Sequence, residues 1–280
     1  MSFYPHNVDY EPPVAFSGGG GKVTGAKVAD LLKYEVAPLN TGTVNLHAAV
    51  TLDAAITKTA GTSVVLETAV ATDVLLTVTV GTELAIGDIL KDDAKAEKCL
   101  VTAIADAPIY TVQRAYSGTA LATHAAGATW KTVGKRVAIT LLATELAACP
   151  QVVQVKGVKA GGALTGDVKV YGTNIKRAAI NDTIALNDDA AVPGVKAFKT
   201  VTAMDLPLRT TAADTVSLGT VKTIGLPWYV VNTAHMLLGQ LDGSADTGTI
   251  TYDDNELEKC VYAPSGTPNG TKKLVLYIIH

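Results

Sequence analysis

From Ala48 to the C-terminus, short runs of alternating apolar and polar residues are interrupted every ten residues or so by Gly, Asp, Asn or Pro. That punctuation leaves little room for long helices and requires many short strands joined by tight turns. The first such group holds Val50–Ile56, Ser63–Leu66 and VLLTVTVGTELAIGDIL, with alternation at Leu76, Val78 and Val80 and breaks at Gly81 and Gly87. CLVTAIADAPIYTVQRAY then reads as strand, turn at Asp106–Pro108, strand, and GATWKTV closes the group. The second group runs through QVVQVKGV, DVKVYGTN, DTIALND, KAFKTVTAMDLP, DTVSLGT, KTIGLPWYV, HMLLGQLDG and GTITYDD to KKLVLYIIH. Only RVAITLLATELAAC, at the start of this group, reads equally as strand or helix. Asp242-Gly243 and Asn269-Gly270 predict turns. The final apolar strand would aggregate as an open edge, so it is expected inside a sheet. There is no fixed-period repeat.

Composition agrees. The 280 residues are 48% hydrophobic but only 5% aromatic and 18% charged, with the apolar share carried by Ala, Val, Leu and Ile beside much Thr and Gly. A net charge of −3 provides no broad attraction to nucleic acid or anionic membrane. No run of about 18 apolar residues is present to span a bilayer as a helix. MSFYPHNVDYEPPVAF lacks the basic-then-apolar order of a secretory signal, so synthesis and assembly in a cytoplasm are expected.

Residues 1–47 differ from the rest. Pro5, Pro12 and Pro13 precede a flexible run at Gly18–Gly21, and Val28, Leu31, Leu32 and Val36 in AKVADLLKYEV recur at helical spacing. The segment is either a disordered tail or an arm that orders on another surface. Aromatic anchors at Phe3, Tyr4, Tyr10 and Phe16 favour the arm. The expected architecture is therefore all-β: an extended N-terminal arm (1–47), a small β-barrel or sandwich module (48–134) and a larger antiparallel β-sandwich of jelly-roll kind (135–280).

No motif spells out a catalytic, cofactor or metal site. GGGGKVT is not a phosphate loop, because Val23 stands where Ser or Thr is needed after Lys22 and no apolar strand precedes the glycines. His6, His47, His124, His235 and His280 are far apart, without paired ligand spacing. Cys99, Cys149 and Cys260 form no zinc pattern and read as buried or half-buried free thiols. Asp188-Asp189 and Asp253-Asp254 lack the DxDxDG calcium loop and read as solvated turn acids. Ser117 lies in a Ser-Gly turn rather than a nucleophile elbow, and Asn269-Gly-Thr matters only in a secretory pathway. Trp130, Trp228 and Tyr229 are expected in core packing or subunit contact, with sugar stacking as the alternative.

One stretch has a family likeness. VGTELAIGDIL, followed by AEKCLVTAIADAPIYTVQRAYSGTALATHAAGATW, resembles a module of tailed-bacteriophage virion proteins through Gly87, Asp88, Glu97, Leu100, Val101, Thr102, Val112, Arg114, Tyr116, Gly118, Thr119, His124, Ala125 and Gly127. GDVKVYGTN, INDTIALNDDAAVPGVKAFKTVTAMDLP and DTVSLGTVKTIGLPW resemble a β-rich segment of phage structural proteins, with Asp182 at a commonly acidic position. YAPSGTPNGTKKLVLYI is similar to the close of the same proteins.

The resemblance implies a virion component assembled in a host cytoplasm. The expected role is a capsid decoration, or cement, protein, with the major capsid protein and further copies of itself as partners. Trimers would suit three-fold positions of an icosahedral shell. Phe3, Tyr4, Tyr10 and Phe16 would contact capsid or a neighbouring subunit. A tail or baseplate component and a host-surface carbohydrate adhesin are the alternatives. Neither pattern carries an active site, a cofactor or a metal. The run AYSGTALATHAAGATW is expected as a packed connection, its small residues allowing close backbone approach and Arg114 and Tyr116 anchoring it, or else as a flexible solvent loop.

Overall fold

The computed structural model describes residues 31–60, 75–78, 83–139, 149–230 and 236–279. Among these the chain is all-β, in three antiparallel sheets. In chain order, β1 (Leu31–Val36) and β2 (Gly42–Thr51) come first. A group of six follows: β3 (Thr57–Thr59), β4 (Leu75–Thr77), β5 (Asp88–Asp92), β6 (Lys98–Asp106), β7 (Ile109–Gln113) and β8 (Thr129–Ala138).

These six form a ring. β3 pairs with β8, β8 with β5, β5 with β6, β6 with β7 and β7 with β4. An antiparallel bridge between Ala60 and Val78, just beyond β3 and β4, closes it into a small barrel. The alternation seen in the sequence becomes an inside and an outside: Leu76, Leu90, Cys99, Val101, Tyr110, Val112 and Trp130 fill the interior. Closure also removes the free edges that such short strands would otherwise present.

The second region comprises β9 (Gln151–Val158), β10 (Asp167–Thr173), β11 (Ala179–Ala185), β12 (Ala191–Phe198), β13 (Thr200–Leu206) and β14 (Thr215–Gly225). β11, β10, β13 and the end of β8 make one layer. β12, β9 and β14, with β2 on the far side of β14, make the other. Between them lie Leu46, Val153, Val155, Val168, Val170, Phe198, Met204 and Leu218, all fully buried. Each such side chain contributes about 1.5–3 kcal/mol through removal from water.

β8 belongs to both units. Its first residues pair with β3 and β5, and Lys135–Ala138 pair with Leu206–Ala203 of β13. The expected module boundary at Gly134 therefore falls inside a continuous strand. The transfer from barrel to sandwich is crowded: a Cβ on Gly134 would stand 2.6 Å from the Leu206 carbonyl oxygen, and one on Gly87 2.5 Å from that of Arg136. Gly87 also has a φ of +97°, which disfavours any side chain.

A third unit has a core of its own. β15 (Met236–Leu241), β16 (Ser244–Ala245), β17 (Thr249–Thr251), β18 (Val261–Ala263) and β19 (Leu274–Ile279) complete the chain. β1, β19, β15 and β16 form a sheet, which buries Tyr34, Leu274, Leu276 and Ile278 in one cluster with Ile224, Leu226, Cys260 and Tyr262. The apolar last strand lies between β1 and β15, as its sequence required. Asp242 and Gly243, at φ of 54° and 78°, form the turn from β15 to β16.

Two sequence expectations change. Leu31–Val36, read as the end of a short helix, is strand β1, and the rest of that pattern lies outside the described residues. So few residues hold no helix alone, whereas pairing with β19 satisfies their backbone groups and buries Tyr34. Of residues 31–47, assigned to the arm, Leu31–Val36 and 42–47 accordingly belong to sheets.

Candidate functional site

The segment after β7 is the one whose sequence was hardest to explain, and a buried carboxylate organises it. Glu97, fully buried just before β6, accepts from Arg114 Nε and Nη2, each at 2.8 Å. It also accepts from the backbone amides of Ala115 (2.9 Å) and Ala122 (2.7 Å). Arg114 Nη2 donates to the Ala122 carbonyl oxygen as well. His124 stands between two acids, its Nε2 3.0 Å from Glu97 Oε2 and its Nδ1 2.8 Å from Asp92 Oδ2. Its ring lies tilted against buried Trp130 at 4.5 Å between centroids.

The run is tied to Glu97 by the Ala115 and Ala122 amides and by His124. Ser117, Gly118, Ala120, Thr123 and Ala125 to Gly127 are exposed, and a Cβ on Gly118 or Gly127 would meet nothing, so anchoring by polar groups, not close approach of small residues, holds it. Burial alone would raise the Glu97 carboxyl, but the Arg114 guanidinium, the two amides and the His124 ring outweigh it and hold the group at about 2. Two carboxylates, a guanidinium and an imidazole ring thus lie in contact out of solvent.

Beside this cluster the loop grips the sandwich. Ala115 and Ser117 adopt left-handed φ of 51° and 58°, turning Tyr116 inward between them. Tyr116 donates its hydroxyl to Asp205 Oδ1 on β13, and Tyr171 on β10 donates to Oδ2, both at 2.6 Å. Arg136 Nη1 donates to the Tyr116 hydroxyl at 2.7 Å, and its guanidinium lies 4.6 Å from the Tyr171 ring centroid. Burial first, then the Asp205 carboxylate, push the Tyr116 hydroxyl far above the usual tyrosine range, so it keeps its proton. A cleft of about 290 Å³ opens at this junction, lined by Lys98, Ser117, Asp167, Lys169 and Thr183 among others.

The other candidates that fall among the described residues take part in turns, sheets and cores. Phe3, Tyr4, Tyr10 and Phe16 lie outside the described residues, as do His6, His235, His280 and the Gly18–Lys22 run. His47 Nδ1 lies 2.8 Å from the Ala48 carbonyl oxygen, and its backbone is in register with Leu218 of β14. Cys99, Cys149 and Cys260 are free and buried, and burial pushes the thiols of Cys99 and Cys149 up to about 12. Asp188 accepts from the Leu164 amide and Lys159, and Asp189 from the Lys159 amide. Asp253 accepts from the amides of Asn255 and Glu256. Asp182 ties β11 to β12 by accepting from the amides of Val195 and Lys196. Asn269 shapes its own turn through the Thr271 and Lys272 amides. Trp130 is buried in the barrel, and Trp228 packs edge-on against Tyr34 at 6.0 Å.

Among the described residues no group of His, Cys, Asp and Glu could hold a metal ion. Asp92 and Glu97 face opposite nitrogens of His124 and so converge on no common point. Sequence reasoning singled out Glu97, Arg114, Tyr116 and His124 but missed Asp92, Arg136, Tyr171 and Asp205. Their partners are separated by 20 to 89 residues, and no local spacing announces them. No protein-family model, curated protein or solved structure matches this chain.

Proposed function

We propose that this protein is a structural component of a tailed-bacteriophage virion, a decoration subunit that stabilises the head by binding the major capsid protein and further copies of itself. The observation that carries the reading is the use made of the residues behind the phage resemblance. Glu97, Arg114, Tyr116 and His124 are engaged internally, closing a loop and fastening the barrel to the sandwich across the shared strand β8. A shared strand and a hydrogen-bonded junction between the units suit a subunit that reinforces a shell. Phe3, Tyr4, Tyr10 and Phe16 would add anchors from the N-terminal segment.

Electron microscopy of virions labelled with an antibody against the protein tests the reading. Label over the head supports it. Label confined to the tail moves the protein to the tail or baseplate, and absence from particles overturns the virion assignment.

A further inference from the structure

We propose that the cleft between barrel and sandwich binds a small oxyanion, a carboxylate or a phosphate, between Lys98 and Lys169. Lys98 lines the cleft from β6 and Lys169 from β10, and both are half-buried. Among the described residues neither forms an ion pair. Lys169 Nζ donates to the Ser117 hydroxyl at 2.9 Å and lies 5.4 Å from the Tyr171 ring centroid. The Lys98 ammonium has no hydrogen-bond partner among the described residues.

The excess charge continues along the barrel. Lys98 stands opposite Lys91 on β5, and Lys91 opposite Lys131 on β8, so three like charges form one row across adjacent strands. Of the three only Lys131 is ion-paired among the described residues, to Asp93 at 2.8 Å. Like charges in direct cross-strand register repel, and a bound anion relieves the repulsion. The acids of the cleft do not cancel this charge. Asp205 gives one oxygen to the Tyr116 hydroxyl and the other to that of Tyr171, and Arg136 stands opposite it on β8. Asp167 also lines the cleft and is exposed. Lys98, Lys169 and Arg136 against Asp167 and Asp205 leave one positive charge, and Lys91 adds another. Ser117 and Thr183, the latter in register with Lys169 on β11, supply neutral hydroxyl donors. A volume of about 290 Å³ suits an ion of a few atoms. The site lies in the folded body and does not depend on the virion reading.

Amide NMR titration of the full-length protein tests it, with sodium phosphate and separately with sodium acetate, near neutral pH and at constant ionic strength. Saturable shifts at Ser117, Lys169 and Thr183 are expected. Shifts with phosphate alone assign a phosphate ligand, and shifts with acetate alone assign a carboxylate. Lys98→Met and Lys169→Met should each weaken the apparent affinity about tenfold. Asp167→Asn should tighten it by about threefold, and this variant keeps the cleft's shape, so it reads the charge balance even if a lysine variant disturbs the fold. No saturable shift with either anion, unchanged affinity in both lysine variants, or weaker binding in Asp167→Asn would overturn the site.

Discussion

Tyr116 and Asp205, 89 residues apart in sequence, meet through a 2.6 Å hydrogen bond that fastens the barrel to the sandwich. Asp205 also accepts from Tyr171, and Arg136 donates to Tyr116, so the carboxylate anchors a small network. Tyr116→Phe should lower unfolding stability by about 1–2 kcal/mol, and Asp205→Ala by about 3 kcal/mol because it strands two hydroxyls. Denaturant titration checks both values. Equal, negligible losses would mean that the two units are held by β8 pairing alone.

Glu97→Gln should be among the most damaging single changes, since it removes the carboxylate charge that faces buried Arg114. The expected loss near neutral pH is roughly 3–5 kcal/mol. The folded carboxyl is depressed to about 2, so its contribution is complete above the ordinary value of 4.5 and erodes as pH falls toward 2. Stability curves of wild type and variant, measured by denaturant at a series of pH values, should therefore converge on the acid side.

Gly87 and Gly118 both have positive φ, but only Gly87 is crowded. Gly118→Ala should cost about 1 kcal/mol, the penalty of the left-handed conformation. Gly87→Ala should cost about 2–4 kcal/mol, because the added carbon also meets the Arg136 carbonyl oxygen where the barrel passes into the sandwich. Thermal denaturation of the two variants side by side reads the difference.

Deleting residues 1–25 removes no residue of a described strand, since β1 begins at Leu31. The truncated protein should keep its far-ultraviolet β signature and melting temperature while binding phage heads more weakly. Co-sedimentation with stripped capsids measures this, and undiminished binding would remove the proposed role of Phe3, Tyr4, Tyr10 and Phe16.

Much of the fold was legible because strands announce themselves locally. Tyr110 and Val112 alternate with polar neighbours, Asp242-Gly243 requires its turn, and LVLYII needs a partner on each edge. Leu31–Val36 misled because a few apolar residues fit helical and extended periods alike, and only β19 distinguishes them. The charged cluster was half legible: Glu97, Arg114 and His124 stood out through resemblance, whereas Asp92 carried no local signal.

Alternation and turn chemistry act between neighbours along the chain, so the sequence alone determined an all-β protein of short antiparallel strands. Closure of the barrel through Ala60 and Val78, the continuation of β8 into both units, and the meeting of Tyr116 with Asp205 depend on which distant strands come to lie side by side. Those pairings are selected by the joint burial of whole faces and by the cost of leaving a charge such as Glu97 unmatched, and only the tertiary structure decides them.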